Sequence, residues 1–371
     1  MLRTFNVELC ITDKCNLGCP YCYVANKNKF MTFETFEKVL EDIRYYTKKS
    51  GCEKYSISYF GGEPLLNFDL IKKTLPILNN DPMCNYATII SNMTLLNDEI
   101  YDFIKNNKVG CSWSFDGLSS NETRPLLNIK ENQPYKKILD LYNDKKDKIL
   151  DIAHNRAKVM IYPGNCTNMV ENAKFMREFG VYDMDFSLVR DDIWTEQDIQ
   201  NFKVELHNLA DYFIKCIKND EFLSIGFFRV MFMDSLIGLF CDKRHYGCFA
   251  CVNGCAVSPD GNFYPCQRFA QKNINKYHKN YDFNYYKEKL DPCKYEKCKK
   301  CELYRVCNAG CTFEQLKNNN EPLDSICKLY KIEFEELQRV CFELQDSQTF
   351  KRIVRYWFGK VDNHGNKFKR Y

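Results

Sequence analysis

Three cysteines near the N-terminus have the spacing of iron–sulfur ligands. Cys15, Cys19 and Cys22 form C-x3-C-x2-C within the run CNLGCPYC. Four thiolates would close a four-iron cluster, so three leave one iron open to a small molecule. Gly18 and Pro20 suit a tight turn around a compact inorganic core. Zinc stays open as an alternative, although zinc sites more often pair C-x2-C units with a fourth ligand.

A second group of cysteines lies in the C-terminal third. The chain has 21 cysteines in 371 residues, and eleven of them fall between Cys241 and Cys327. Cys298 begins the pattern C-x2-C-x5-C-x3-C, which ends at Cys311. In a long chain without a signal peptide, such cysteines are more often metal ligands or catalytic groups than disulfides. A pair of zinc knuckles is the alternative.

The charge balance limits the classes of partner that the protein is expected to bind. Lys and Arg total 53 and Asp and Glu total 49, which gives a net charge of +4 and no indication of a nucleic-acid or membrane partner. The N-terminus lacks the apolar stretch of a signal peptide, so we expect a cytoplasmic protein. Phe222–Cys241 is nearly long enough to span a bilayer, but Arg229 and Asp234 lie inside it. Each charge would cost several kcal/mol there, so we predict a buried helix.

Strands and helices that would position these residues alternate over the first 190 residues. The predicted strands are Phe5–Ile11, Tyr55–Tyr59, Ala87–Ser91, Cys111–Phe115, Lys158–Tyr162 and Met184–Val189. The predicted helices are Phe33–Ile43, with Thr32 as a cap, and Asp69–Leu78, Asp98–Ile104, Tyr135–Tyr142 and Met169–Phe179. This alternation predicts an α/β fold with a parallel sheet, and six units are too few for a closed eight-stranded barrel. We therefore expect a partial (β/α)6 TIM-like barrel or an open sheet, with its site at the C-terminal strand ends.

Four segments are predicted along the chain. Residues 1–190 form the strand–helix core and residues 191–240 a helical connector. Residues 241–335 form a cysteine-rich domain, and residues 336–371 a C-terminal helix and tail. Between Cys241 and Cys327 the pattern breaks into loops with little apolar material, so metal clusters would supply the missing cross-links.

The run CNLGCPYC resembles the signature of the radical S-adenosylmethionine (SAM) superfamily, with Tyr21 in the aromatic position. The resemblance implies that the amino and carboxylate groups of SAM chelate the open iron of a [4Fe-4S] cluster. One-electron reduction then yields methionine and a 5′-deoxyadenosyl radical, which abstracts a hydrogen atom from the substrate. A reductant such as flavodoxin or ferredoxin is implied as a partner.

Motifs after the second and third strands extend this resemblance. Gly61, Gly62 and Glu63 resemble the family's GGE motif, in which the carboxylate and backbone hold the methionine amino group. Glycines allow the backbone to approach closely there. Ser91 and Asn92 end the third strand, where the family places polar groups against the ribose.

The end of the fourth strand resembles an element of the peptide-modifying branch. Ser114 and Arg124 match the residues that hold the methionine carboxylate, for which the planar guanidinium is suited. Glu122 and Thr123 depart from the usual His-Asp before the arginine. Asp116 is the candidate for a catalytic base, although a structural cap of its turn is the favoured reading of this residue.

The cysteine-rich third resembles the SPASM extension of radical SAM enzymes. The resemblance implies two auxiliary clusters, the first bound by Cys248, Cys266 and Cys311, and the second by Cys298, Cys301, Cys307 and Cys327. Cys241, Cys251 and Cys255 compete for the fourth position of the first cluster, which is otherwise open. Cys255 is included in the predicted ligand set.

A peptide or protein substrate is implied by the SPASM resemblance alone. The leading hypothesis is a ribosomal-peptide maturase that forms a thioether, a C–C cross-link or another oxidation by hydrogen abstraction. A formylglycine-generating sulfatase activator is the alternative enzyme, and a non-catalytic metal-binding module is the third possibility. Many maturases carry an N-terminal peptide-recognition domain, whereas the first strand is predicted here at Phe5. We therefore expect leader binding elsewhere or through a partner protein.

Overall fold

The structure is a computed structural model that describes residues 4–25, 27–107, 109–127, 134–190, 193–240, 250, 253–271, 295–307, 311–318 and 321–359. Within these ranges the strands are β1 Thr4–Thr12, β2 Lys54–Gly61, β3 Cys84–Ser91, β4 Gly110–Ser114, β5 Arg156–Ile161, β6 Asp183–Leu188, β7 Ser224–Ile225, β8 Gly254–Val257 and β9 Phe263–Tyr264. The first helices are α1 Phe33–Lys49, α2 Phe68–Asn80, α3 Asp98–Asn107, α4 Ser120–Thr123, α5 Ile138–Asp144, α6 Lys146–Ala153 and α7 Met169–Phe179. The later helices are α8 Glu196–Lys218, α9 Gly226–Phe240, α10 Gln267–Gln271, α11 Glu296–Lys299, α12 Thr312–Lys317, α13 Asp324–Leu344 and α14 Gln348–Trp357.

The six predicted strands all form, each within three residues of its predicted bounds. The predicted helix at Phe33 continues to Lys49, and Thr32 caps it by accepting a hydrogen bond from the Thr35 N–H group. The prediction for the cysteine-rich region was incomplete, because β8 and β9 form where loops were expected.

Contacts divide the described residues into two compact units. The first unit comprises the described residues of Met1–Ser114, Ser120–His154 and Cys248–Lys294. Its strands lie in the order β4-β3-β2-β1-β8-β9, and all neighbours are parallel except β8 and β9. In the central strand β1, Val7 lies beside Ile57 of β2 and Cys255 of β8.

The second unit comprises the described residues of Phe115–Ser119, Asn155–Gly247 and Tyr295–Tyr371. Its parallel strands lie in the order β7-β6-β5, and α13 packs along α8. Buried aromatic side chains fill this core, among them Phe186, Phe202, Phe213 and Phe228.

The apolar segment around α9 belongs to the second unit. Phe228 and Met231 of α9 are buried. Arg229 forms ion pairs with Asp183 at 3.0 Å and with Asp185 at 2.5 Å. None of the helices that the structure describes is long and apolar enough to cross a membrane.

Candidate active site

The three N-terminal cysteines lie in the loop that follows β1. The Leu17 N–H group contacts the Cys15 sulfur at 3.4 Å, and the Cys22 N–H group donates to the Cys19 carbonyl at 3.1 Å. Burial raises the pKa of the Cys15 thiol to about 12, and the negative charges of Glu63, Cys19 and Cys22 contribute to that rise. The Cys15 thiol therefore lies within electrostatic range of Cys19, Cys22 and Glu63.

Two glycines pack the turn after β2 against the base of this loop. A Cβ atom at Gly62 would lie 2.2 Å from the Lys14 carbonyl oxygen, and one at Gly61 would lie 1.9 Å from the Thr12 oxygen. The Gly62 N–H group donates to Thr12 at 2.8 Å, and the Glu63 N–H group donates to Lys14 at 2.9 Å. Only glycine allows this backbone approach, and it places Glu63 next to the thiols.

Glu63 is a buried carboxylate whose hydrogen-bond partners are all neutral. It accepts hydrogen bonds from the Leu65 N–H group at 2.9 Å, the Ser91 hydroxyl at 2.8 Å and the Asn92 N–H group at 2.8 Å. Burial raises the pKa of Glu63 to about 7, against the lowering effect of these three donors. Within the described part of the chain no cation pairs with it. A buried carboxylate in this setting fits the ammonium group of a bound amino acid.

Ser91 and Asn92 support the site from the end of β3. Besides the Ser91 bond to Glu63, the Asn92 amide donates to Asn16 at 3.0 Å and accepts from the Thr94 hydroxyl at 2.7 Å. Asn16 directly follows Cys15, so Asn92 fixes the cysteine loop to the sheet. Contact of Ser91 and Asn92 with a ribose stays a prediction. Sequence patterns do not indicate that Asn16 and Thr94 belong to this site.

Arg124 and Tyr21 lie together beside the cysteine loop. The Arg124 guanidinium lies 5.5 Å from the centre of the Tyr21 ring, within the range of a cation–π contact. The Gly18 N–H group donates to the Pro125 carbonyl at 2.9 Å, which ties the segment after Arg124 to the loop. Ser114 ends β4. Binding of a carboxylate by Ser114 and Arg124 stays a prediction.

Asp116 is fully buried and accepts a hydrogen bond from the Met160 N–H group at 2.9 Å. The preceding residue, Phe115, donates its N–H group to the Lys158 carbonyl at 3.0 Å. These contacts tie Phe115 and Asp116 to β5, and the predicted cap of the Asp116 turn stays a prediction. Its role as a base stays a prediction.

Three of the C-terminal cysteines lie within electrostatic range of one another in the second unit. Burial raises the pKa of Cys327, and Cys298 and Cys301 contribute as nearby negative charges. Lys297 of α11 pairs with the Asp324 carboxylate at the start of α13 at 2.9 Å. Cys298 lies in α11, Cys301 follows that helix and Cys327 lies in α13, so a cluster here would be held between two helices.

The remaining predicted ligands are placed differently. Cys255 is fully buried in β8 beside Val7, and burial raises its pKa well above the ordinary value. This position favours core packing, and ligation by Cys255 stays a prediction. Cys266 precedes α10 in the first unit, and Cys311 precedes α12 in the second. The three other candidates lie outside the described residues: Cys241, Cys248 and Cys251.

Comparison with known proteins identifies the family. Residues 9–170 match the family model described as the Radical SAM superfamily. The uncharacterized protein MJ0907 of Methanocaldococcus jannaschii is 31% identical over 220 residues, which cover 54% of this chain and 70% of that protein. The chain belongs to the radical SAM superfamily and is an enzyme of that class. The predicted cofactors, a [4Fe-4S] cluster and SAM, are those that the family uses.

Enzymes with SPASM extensions are among the similar proteins. The cysteine-type anaerobic sulfatase-maturating enzyme of Clostridium perfringens (strain ATCC 13124) is 22% identical over 389 residues, which cover 96% of each chain. Native anSMEcpe with bound AdoMet and Cp18Cys peptide has a TM-score of 0.68 at 19% identity and covers 92% of this chain and 100% of that one. Streptococcus suis SuiB bound to precursor peptide SuiA has a TM-score of 0.53 at 16% identity, with 85% and 73% covered. The predicted fold class and the SPASM-subfamily assignment are confirmed.

Proposed function

We propose that this radical SAM enzyme modifies a side chain of a peptide or protein by hydrogen-atom abstraction. The observation that carries the proposal is the packing of the Cys15–Cys22 loop, the Gly61-Gly62 turn and buried Glu63 into one arrangement. A peptide substrate is supported by the sulfatase-maturating relative, which matches nearly the whole chain, and by the peptide-bound anSMEcpe and SuiB structures.

We assign the residues of the candidate active site separate roles in binding the cluster and SAM. Cys15, Cys19 and Cys22 would hold the cluster, and Glu63 would bind the methionine ammonium. When bound, the cluster and SAM supply the 5′-deoxyadenosyl radical. The other predicted residues would bind the SAM carboxylate and ribose or fix the backbone around them: Tyr21, Gly61, Gly62, Ser91, Asn92, Ser114 and Arg124.

The C-terminal cysteines would hold two auxiliary clusters. Cys248, Cys266 and Cys311 are the proposed ligands of the first, with Cys255 as a candidate for its fourth position. The proposed ligands of the second are Cys298, Cys301, Cys307 and Cys327. These clusters would accept an electron from the substrate or bind the peptide. A flavodoxin or ferredoxin would supply the electron that cleaves SAM.

The proposal includes two candidate classes of substrate. A ribosomally made precursor peptide is our leading hypothesis, and the likeness to SuiB bound to a precursor peptide supports it. A sulfatase is the second candidate, because the sulfatase-maturating relative matches this chain over 96% of both lengths.

The test is a product assay with both substrate classes. Anaerobically reconstituted enzyme is incubated with SAM, dithionite and either a short precursor peptide encoded near its gene or a cysteine-containing sulfatase peptide. We expect 5′-deoxyadenosine together with a mass change in one of the two peptides. The full-length Cys15→Ala/Cys19→Ala/Cys22→Ala variant is the control and should leave SAM intact.

Two negative results would contradict different parts of the proposal. Intact SAM in the reduced wild-type enzyme would refute radical chemistry. Formation of 5′-deoxyadenosine with no change in either peptide would count against a peptide substrate.

A further inference from the structure

Three polar side chains form a row across the sheet of the first unit. Glu8 of β1 lies opposite Ser58 of β2, and Ser58 lies opposite Thr88 of β3. All three are half-buried, and they lie on the same face of the sheet because they are paired across neighbouring strands. The Thr88 hydroxyl donates a hydrogen bond to the Ser58 hydroxyl at 3.0 Å. We call Glu8, Ser58 and Thr88 the polar row.

The opposite face of the same strands is apolar and covered. Val7, Ile57 and Ile89 lie on that face, and all three are buried. Tyr59 also lies there, and its hydroxyl makes a hydrogen bond of 2.7 Å with Thr74 of α2. The strands therefore pack against a helix with their apolar face and leave the polar row on the other.

A polar face is unusual for the inner strands of a parallel sheet. β1, β2 and β3 each have a neighbouring strand on both sides. Parallel strands in such a position are normally buried on both faces and apolar throughout, and bulky branched side chains fill the interior of a closed barrel. Half-buried hydroxyl and carboxylate groups cannot form a core of that kind. They line a space that can hold a polar ligand.

Two opposite charges lie at the β1 end of the polar row. The Gln267 N–H group donates to the Glu8 carboxylate at 3.3 Å, and the guanidinium of the next residue, Arg268, lies 5.0 Å from the centre of the Tyr23 ring. Burial raises the pKa of the Tyr23 phenol, the charge of Glu8 adds to the rise, and the charge of Arg268 opposes it. Both charges thus act on the same phenol and offset each other. An uncharged ligand group that donates and accepts hydrogen bonds suits this end of the row.

The polar row belongs to the strands that carry the candidate active site. Thr88 lies three residues before Ser91 at the end of β3, and Ser58 lies three residues before Gly61 at the end of β2. A strand rises about 3.3 Å per residue, so the row is about 10 Å from the strand ends. An extended peptide spans about 3.3–3.6 Å per residue, and about three of its residues cover this distance.

We propose that the polar row binds an uncharged polar side chain of the peptide substrate, about three positions from the residue that is modified. The inference rests on the peptide substrate of our proposed function and adds a specificity to it. Serine, threonine, asparagine and glutamine have the donors and acceptors that the Ser58 and Thr88 hydroxyls require. Binding of that side chain fixes the position of the peptide along the strands, and with it the residue that meets the radical.

The experiment measures peptide binding without chemistry. Wild-type and variant proteins are reconstituted anaerobically and supplied with SAM but no reductant. The probe is the precursor peptide or the cysteine-containing sulfatase peptide, whichever the wild type modifies in the product assay. Ser58→Ala/Thr88→Val removes both hydroxyls together, so that neither loses its partner alone. Tyr59→Phe/Thr74→Val is the matched control, because it removes a hydroxyl pair from the apolar face of the same sheet.

We expect the Ser58→Ala/Thr88→Val protein to bind the peptide at least about fivefold more weakly, which is the effect of about one lost hydrogen bond. Its melting temperature and iron content should match those of the wild type, and the Tyr59→Phe/Thr74→Val protein should bind the peptide normally.

A leucine scan of the peptide identifies the partner of the polar row. Leucine about three positions from the modified residue should weaken binding to the wild type. The same peptide should show no further loss with Ser58→Ala/Thr88→Val, since the two changes remove one shared contact. A loss that is equally large in the wild type and in this variant would refute the contact.

Two further results would contradict different claims. Equal peptide affinity in the wild type and in Ser58→Ala/Thr88→Val, or an equal loss in Tyr59→Phe/Thr74→Val, would refute the role of the polar row and leave the peptide substrate in place. Modification of neither peptide by the wild type would overturn the peptide substrate itself, and the proposed ligand of the polar row with it.

Discussion

Glu63 places a single buried carboxylate between the cysteine loop and the end of β3. Its three donors, Leu65, Ser91 and Asn92, are neutral, so they orient the carboxylate without cancelling its charge. A positively charged ligand group would complete this environment. The residue is therefore the best single position at which to test the proposed SAM site.

Removing the negative charge of Glu63 should weaken SAM binding and leave the N-terminal cluster in place. A hydrogen bond to a charged group contributes about 1.5–3 kcal/mol, so Glu63→Gln should reduce affinity by at least about tenfold. The measurement is equilibrium binding of SAM to reconstituted protein, with iron content determined in parallel. Glu37→Gln, at an exposed position of α1, is the control. Equal affinity in the two variants would contradict the assignment.

Asp116 allows a structural role to be separated from a catalytic one. Asp116→Ala removes the acceptor of the Met160 N–H group and should cost about 1–3 kcal/mol of unfolding free energy, measured by urea denaturation. Asp116→Asn keeps an acceptor oxygen and should be close to wild type in both stability and product yield. If Asp116→Asn instead forms 5′-deoxyadenosine but no modified peptide, Asp116 is the base.

Sequence spacing was sufficient for part of this site. Cys15, Cys19 and Cys22 are close in the chain, so their spacing alone predicts that one loop can hold them. The role of Asn16 could not be predicted in this way, because its partner Asn92 lies at the end of another strand. A hydrogen bond of this kind depends on the register between β1, β2 and β3, which local patterns do not specify.

At the scale of elements, the turn after β2 depends on two glycines for its contact with the end of β1. Gly62→Ala would place a methyl group 2.2 Å from the Lys14 carbonyl oxygen, so the turn and the cysteine loop must separate. We expect the variant to lose the iron of the N-terminal cluster and to keep the rest, as measured by iron analysis of reconstituted protein. Gly110→Ala is the control, since its Cβ would lie 3.0 Å from the Thr88 methyl group and 3.7 Å from the nearest backbone atom, the Ala87 carbonyl oxygen. Full iron content in Gly62→Ala would show that the close approach is dispensable.

Local runs of apolar and β-branched residues predict the strands that were identified from the sequence. β8 has only four residues, Gly254–Val257, and it is ordered by pairing with β1, where Asn6 lies opposite Gly254. That pairing joins segments from the two ends of the core, so no local pattern indicates it. The two-residue strand β7 was not predicted either, because it pairs with β6 across a long separation in the sequence. Longer elements with their own periodicity, such as α7, were predicted with the observed bounds.

At the scale of the whole molecule, the two groups of cysteines lie in surroundings of very different apolar content. β1 carries the buried side chains Phe5, Val7 and Leu9 in one short strand. Around the C-terminal cysteines the helices α11 and α12 have four and six residues. Helices this short do not persist without tertiary contacts. We therefore expect the proposed auxiliary clusters to act as structural cross-links, so that metal binding and local folding are coupled.

Removal of iron should therefore unfold the region around the C-terminal cysteines and leave the core strands folded. After anaerobic chelation, amide hydrogen exchange in residues 295–307 and 311–318 should accelerate by at least about tenfold, while β2 and β3 keep their protection. Replacing Cys298, Cys301, Cys307 and Cys327 with serine should give the same local effect without a chelator, whereas the Cys15→Ala/Cys19→Ala/Cys22→Ala variant should not. Unchanged protection in residues 295–307 after verified iron loss would mean that protein contacts alone stabilise this region. In that case the clusters would serve electron transfer or substrate binding without stabilising the fold.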